Sequence, residues 1–188
     1  MPRGTFRQLA VAVCLCGLLY AADTAGVWLD VPFVRQEKNG CGAASIAMVM
    51  QYWQRQQGQP SGATADAEAI QRKLYSVPAH GIYASDIERY LQANGYRTFS
   101  MRGEWSDLED HLAKGRPLIV ALKPGRGDPL HFVVVTGVDP QQGVVLKNDP
   151  AERKLLKQDR ASFEKEWKAA ANWMLLAVPQ DAAGFSDR

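Results

Sequence analysis

The sequence predicts an α+β fold in which a helical half precedes an antiparallel sheet. Two observations carry this. The first half holds turn-then-helix signals and two S/T-x-x-E capping patterns. From Gly115 onward, short apolar runs bounded by Gly, Pro and Asp replace them. Helical and strand patterns are segregated along the chain, not interleaved, as α+β proteins require.

Each element follows from local pattern. Val27 to Gln36 (VWLDVPFVRQ) is an apolar approach that begins as a short strand, and Asn39-Gly40 is a turn signal. A helix is expected from about Cys41 to about Gln56, with Ile46, Met50 and Trp53 at i, i+4 and i+7 as its buried face. Gln54 to Thr64 (QRQQGQPSGAT) reads as a loop, and Ala65 to Tyr75 as a second helix. Ser85 to Glu88 is a capping box opening a helix that ends before Gly95, and Ser106 to Glu109 opens another that ends before Gly115. Pro117 to Lys123 is a buried strand, followed by the loop PGRGDPL. His131 to Val138 and Val144 to Asn148 form a hairpin about the turn Asp139 to Gly143. Ser162 to Lys168 is a helical turn, and Trp173 to Val178 a final strand.

With 188 residues, 46% hydrophobic and 22% charged, the chain has the composition of one ordinary globular domain. Its formal charge is +2 with the signs interspersed, which argues against a nucleic-acid partner, since that needs a clustered basic patch. The first residues differ in kind. Arg3 and Arg7 precede an apolar run from Leu9 to Ala22, and small residues follow. That is the order of a secretory signal. The run is shorter than the roughly 20 residues of a membrane span. Tyr20 stands where a cleavage site prefers a small residue, so an uncleaved anchor stays open. Cys14 and Cys16 lie inside the run, not at its end, which argues against a lipoprotein. The expected division is residues 1–26 as signal or anchor and 27–188 as a single domain that is periplasmic or extracellular, or anchored through residues 9–22.

If that segment is removed, Cys41 is the one cysteine left. Exported proteins usually pair their cysteines, so an odd one suggests a free reactive thiol. The alternative is an inert buried cysteine acting as a small hydrophobe. The flanking residues favour the reactive reading. Cys41 begins a helix, where unpaired N–H groups and the dipole favour a thiolate. Gly42, Ala43, Ala44 and Ser45 are small, which is expected to let a substrate backbone lie close.

A thiolate nucleophile needs a base that later serves as proton donor. His111 falls on an amphipathic helix and reads as a surface residue, while His80 lies in the loop SVPAHG without a visible orienting partner. His131 opens an apolar strand, at the rim of a sheet. If the hairpin closes with Val138 opposite Val144 and no bulge, position 149 falls opposite 133. His131 and Asp149 then share a face as diagonal neighbours about 7 to 8 Å apart at the backbone. Asp149 could orient the imidazole as the third member of a triad. On its own, Asp149-Pro150 would simply end a strand. Gln36, five residues before Cys41, reads as a plain polar loop residue or as a donor to an oxyanion. One cysteine and three dispersed histidines show no zinc-ligand spacing, and no metal or cofactor is expected.

Together, VPFVRQEKNGCGAASIAMVMQYW, HFVVVTGVD and VVLKNDP resemble the C39 and C39-like family of papain-fold cysteine peptidases, over about Leu29 to Val178. The resemblance implies a papain-like fold, with a helical lobe carrying the cysteine and an antiparallel sheet lobe carrying the histidine and aspartate. It implies Cys41 as nucleophile, His131 as general base and acid, Asp149 as orienting acid and Gln36 as oxyanion donor. Well-known members cut leader peptides after Gly-Gly and are fused to an ABC exporter. This chain has no G-x-x-x-x-G-K-[ST] loop and carries its own export signal. The expected substrate is a peptide or protein, with a component of a bacterial secretion system as one candidate partner and the membrane met only through an uncleaved N-terminal segment. Two rival readings stand beside it: a peptidase-like module that binds leader peptides or exported subunits, and a papain-like cell-wall peptide hydrolase.

Overall fold

The computed structural model describes residues 26–181. The expected signal or anchor therefore lies outside the described residues, apart from Gly26. In chain order the elements are β1 (Val27–Trp28), α1 (Cys41–Gln56), a 3-10 turn (Ala63–Ala65), α2 (Ala67–Leu74), α3 (Ala84–Ala93), β2 (Tyr96–Arg102), α4 (Trp105–Ala113), β3 (Leu118–Leu122), β4 (His131–Asp139), β5 (Val144–Asn148), β6 (Leu156–Asp159), α5 (Arg160–Ala169) and β7 (Trp173–Pro179). The strands form one antiparallel sheet in the order β2-β7-β3-β4-β5-β6, with β1 added beside the far end of β4. This is the α+β architecture expected from the sequence.

Both faces of the central strands are covered, which is why β3 and β4 read as continuous apolar runs without polar alternation. Phe132, Val134, Ile119 and Ala121 pack toward Ile46 of α1 and Ile87 and Leu91 of α3. The alternate residues Val133, Val135, Leu118 and Val120 pack with Trp105, Leu108 and Leu112 of α4 and Phe163 and Trp167 of α5. The sheet is thus sandwiched between two helical layers, each closing its own core.

Several local expectations change. Trp53 is only part-buried, while every residue of α1 from Gly42 to Met50 is buried, so this helix is a central one and not a one-faced surface helix. The small run Gly42 to Ser45 serves that burial instead of a substrate: a Cβ at Gly42 would stand 3.1 Å from Ile82 Cβ. Neither serine-led capping box forms. Tyr83 precedes α3 with no side-chain cap, and in α4 Glu104 and Asp107 make the reciprocal box two residues upstream of the expected one. Strands β2 and β6 are additions; their mixed polar patterns follow from positions at the two sheet edges.

The β4–β5 hairpin reaches its expected register by an unexpected route. At the turn, Asp139 pairs with Val144 and Val138 with Val145, one residue away from the Val138–Val144 pairing expected. Asp139 Oδ1 accepts from the Gln142 N–H at 3.0 Å and Gly143 adopts φ 61°, so the loop closes around Asp139 itself. A register shift between Val135 and Gly137 then inserts Thr136 as an extra residue on β4. Thr136 is buried and its hydroxyl donates to Leu146 O at 3.2 Å. Beyond the bulge Val135 faces Lys147 and Val134 faces Asn148, which is the pairing that brings 131 and 149 to one face. A one-residue slip without this bulge would have separated them.

Candidate active site

Cys41 is presented by a tight entry into α1. Asn39 adopts a left-handed conformation at φ 57°, and Gly40 turns back with its N–H donating to Glu37 O at 2.9 Å. Gly40 caps the helix through its backbone alone, and the first turn carries no acidic side chain. The positive end of α1 is therefore left to the sulfur. His131 is the first residue of β4, paired with Leu122 at the end of β3. Asp149 follows the last residue of β5.

Cys41 and His131 line one cleft, and His131 engages Asp149 behind it. His131 Nε2 lies 2.7 Å from Asp149 Oδ1, with the two side chains 21% and 7% exposed. The imidazole also favours the charged form of the Cys41 sulfur, and the sulfur that of the imidazole. With Nε2 engaged by the carboxylate, Nδ1 is the ring nitrogen left for the sulfur. The Phe132 and Gly42 backbone N–H groups also favour the charged sulfur.

The electrostatics follow from this arrangement. Burial alone would raise the Cys41 thiol, but the His131 hydrogen bond, the Phe132 N–H and the imidazolium charge outweigh it and bring the thiol below its ordinary value. Burial alone would lower His131, but the Asp149 and Cys41 hydrogen bonds and charges push it up to about 9. Burial would likewise raise Asp149, yet the His131 hydrogen bond, the charges of His131 and Lys147 and the Ala151 N–H hold it below the ordinary carboxylate range. All three act in one direction: near neutral pH the site favours a thiolate beside an imidazolium beside a carboxylate.

The segment before α1 is locked onto the turn that carries Asp149. The Gln36 N–H donates to Pro150 O at 3.0 Å, and Arg35 donates to Ala151 O and Glu152 O at 3.3 and 3.0 Å. Asn148, fully buried, donates to Val31 O at 3.1 Å and Pro32 O at 3.3 Å and accepts from the Leu155 N–H at 3.0 Å. Gln36, Cys41 and His131 line one cleft of about 350 Å³, walled by Ile82, Tyr83, Leu130 and Phe132. The Gln36 amide oxygen is buried there without a hydrogen-bond partner. The four residues singled out in the sequence are thus gathered at one place.

His80 also lines this cleft, on a left-handed backbone at φ 49°. His111 sits in the last turn of α4 and does not line the cleft. Sequence reading missed two residues. Asn148 is one; a single Asn beside Asp149-Pro150 carries no sequence signal of its clamp. Lys147 is the other, 5% exposed, with Nζ 3.5 Å from Asp149 Oδ2. The strand alternation that places 149 on the His131 face places 147 there too, and that was the available signal.

Comparisons agree with this architecture. The profile described as "Peptidase_C39 like family" matches residues 28–173. A structure described as a C39-like peptidase from Bacillus anthracis superposes with a TM-score of 0.63 at 19% identity, over 81% of this chain and 97% of that one. The double glycine motif protease from an AMS/PCAT transporter, solved in complex with the leader peptide, gives 0.63 at 22% identity, over 81% and 94%. Xylellain, a cysteine protease from Xylella fastidiosa, gives 0.58 at 15% identity, over 85% and 87%. At these identities the likeness is one of fold. No curated protein matches the chain.

Proposed function

The chain is a cysteine peptidase of the Peptidase_C39 like family, and from that premise we propose that it hydrolyses a peptide bond through Cys41, His131 and Asp149, with Gln36 at the oxyanion, outside the cytoplasm. The observation that carries this reading is the placing of Cys41 and His131 on one cleft with His131 Nε2 2.7 Å from Asp149 Oδ1. In the first half-reaction the Cys41 thiolate attacks the scissile carbonyl carbon. Negative charge moves to the carbonyl oxygen, which the Cys41 N–H and the Gln36 amide stabilise. The His131 imidazolium gives its proton to the leaving amine as the C–N bond breaks, leaving a thioester on Cys41. Water then attacks the thioester, its proton passing to His131, and the carboxylic acid product leaves as the thiolate returns. Asp149 fixes the imidazole orientation and stabilises its charged form throughout.

The apolar cleft walls suit an extended peptide segment. A Gly-Gly pair is the first motif to test, because a neighbour in fold is a double glycine motif protease bound to a leader peptide. The basic, apolar, small order of residues 1–26 supports an exported location, periplasmic or extracellular. The test is mass spectrometry of peptide mixtures incubated with the protein, one set containing Gly-Gly and one made of murein peptides, with Cys41→Ala as control. Time-dependent products with the wild type and none with the variant are expected. Products from the murein set alone would make it a cell-wall peptide hydrolase. Retention of peptides uncut by both proteins would make it a binding module.

A further inference from the structure

Lys147 stands against the pattern of its strand. It lies in β5 (VVLKN), pairs across to Val135 and Leu156, and is buried among residues where a hydrophobe would pack without loss of hydration. A buried ammonium is costly unless it meets an opposite charge. Here the charge it meets is Asp149, whose Oδ2 is 3.5 Å from Lys147 Nζ with both side chains under a tenth exposed.

The two carboxylate oxygens of Asp149 have separate duties. Oδ1 takes His131 Nε2 at 2.7 Å and the Ala151 N–H at 3.1 Å. Oδ2 faces Lys147. We propose that Lys147 is a positioning residue of the peptidase site, holding Oδ2 so that Oδ1 stays aimed at His131 and supplying the cation that lets carboxylate and thiolate be ionised together. The inference rests on the catalytic reading of Cys41, His131 and Asp149 given above.

Charge counting shows why a cation is needed. Thiolate, imidazolium and carboxylate together carry one net negative charge in a largely buried site. Lys147 neutralises it, giving an alternating line Cys41, His131, Asp149, Lys147. The groups facing Asp149 are His131 from β4, Lys147 from β5 and, from the following turn, the Ala151 N–H. Arg35 engages that turn through carbonyl oxygens, leaving the carboxylate to His131 and Lys147. Removing the Lys147 charge leaves Asp149 easier to protonate, and protonated Asp149 no longer supports the imidazolium that stabilises the thiolate.

The test is the rate of Cys41 alkylation by iodoacetamide against pH in the full chain, for the wild type, K147M and K147R. Circular dichroism and thermal melting establish that each variant is folded. The acid limb of the K147M profile is expected to move up by about one pH unit, so that labelling on that limb is roughly tenfold slower. K147R, which restores a cation, is expected to return the limb to within about a quarter of a unit of wild type. Packing damage alone would lower the whole profile without moving the limb and would not be repaired by arginine. If K147M does not fold, K147Q carries the test, with a donor but no charge and the same expected shift. Coincident profiles for the wild type and the uncharged variant overturn the role of Lys147 and leave the catalytic reading standing. A wild-type thiol that labels only near its free pKa overturns both.

Discussion

At the scale of single residues the chemistry turns on two protons. Cys41 titrates below its ordinary value and His131 up to about 9. The sign of the pH dependence follows. Raising the pH through the lowered Cys41 value creates the thiolate, and raising it further through about 9 removes the imidazolium that the leaving amine needs. Peptidase activity is therefore expected to rise on the acid side of the free-cysteine value of about 8.5, and to fall above about 9. A kcat/KM profile checks both limbs. His131→Ala is expected to lower kcat/KM by about 10²- to 10⁴-fold, since general acid and base are lost together. Three of the four candidate residues had a local signal in the sequence: an odd thiol at a helix start, a histidine at a strand rim and an acid in matching register; Gln36 had none, and only the family resemblance singled it out. Lys147 was not legible, because a lone lysine in a strand ordinarily means a solvent-facing side, and only tertiary covering by the far helical layer turns that side inward.

At the scale of elements the decisive feature is the bulge at Thr136. It corrects the one-residue offset of the turn and returns Val134 and Val135 to the pairing that sets Asp149 by His131. The sequence supported the destination and not the route, because a bulge inside an apolar run leaves no turn residue to mark it. Gly137 lies beside it, where a Cβ would meet Val27 O at 2.6 Å and Trp28 Cβ at 2.8 Å. Gly137→Ala must push β1 away from β4, and a destabilisation of about 1 to 3 kcal/mol is expected in urea unfolding. Serine-led capping patterns were legible at both sites, yet α4 begins at a Glu104–Asp107 box because burying Trp105 on the second core draws the helix back by two residues.

At the scale of the molecule the site exists because two layers are tied across one seam. The cysteine comes from the helical layer and the histidine and aspartate from the sheet. The segment joining them, Val31 to Gln36, is held to the Asp149 turn by backbone and Asn148 hydrogen bonds. Asn148→Ala leaves the Val31 and Pro32 carbonyls and the Leu155 N–H without that partner, each group costing about 1 to 3 kcal/mol if it stays buried and unpaired. Lower stability by calorimetry is expected, with a fall in kcat as Gln36 loses its support. The two-half organisation was legible from segregated helix and strand patterns. The edge strands β2 and β6 were not, since their polarity reflects which neighbours they have and no fixed alternation.

Cys41 and His131 are expected to exist as a thiolate–imidazolium pair held by Asp149. The most direct measurement is an NMR pH titration of the histidine ring signals in the full chain, whose three histidines are few enough to assign by substitution. One ring is expected to titrate near 9, lost in His131→Ala and brought down in Cys41→Ala, while His111, disfavoured as a cation by burial and by Arg116 and Lys114, titrates below its ordinary value. A His131 ring that titrates near the unperturbed value of about 6.5, unaffected by Cys41→Ala, would contradict it.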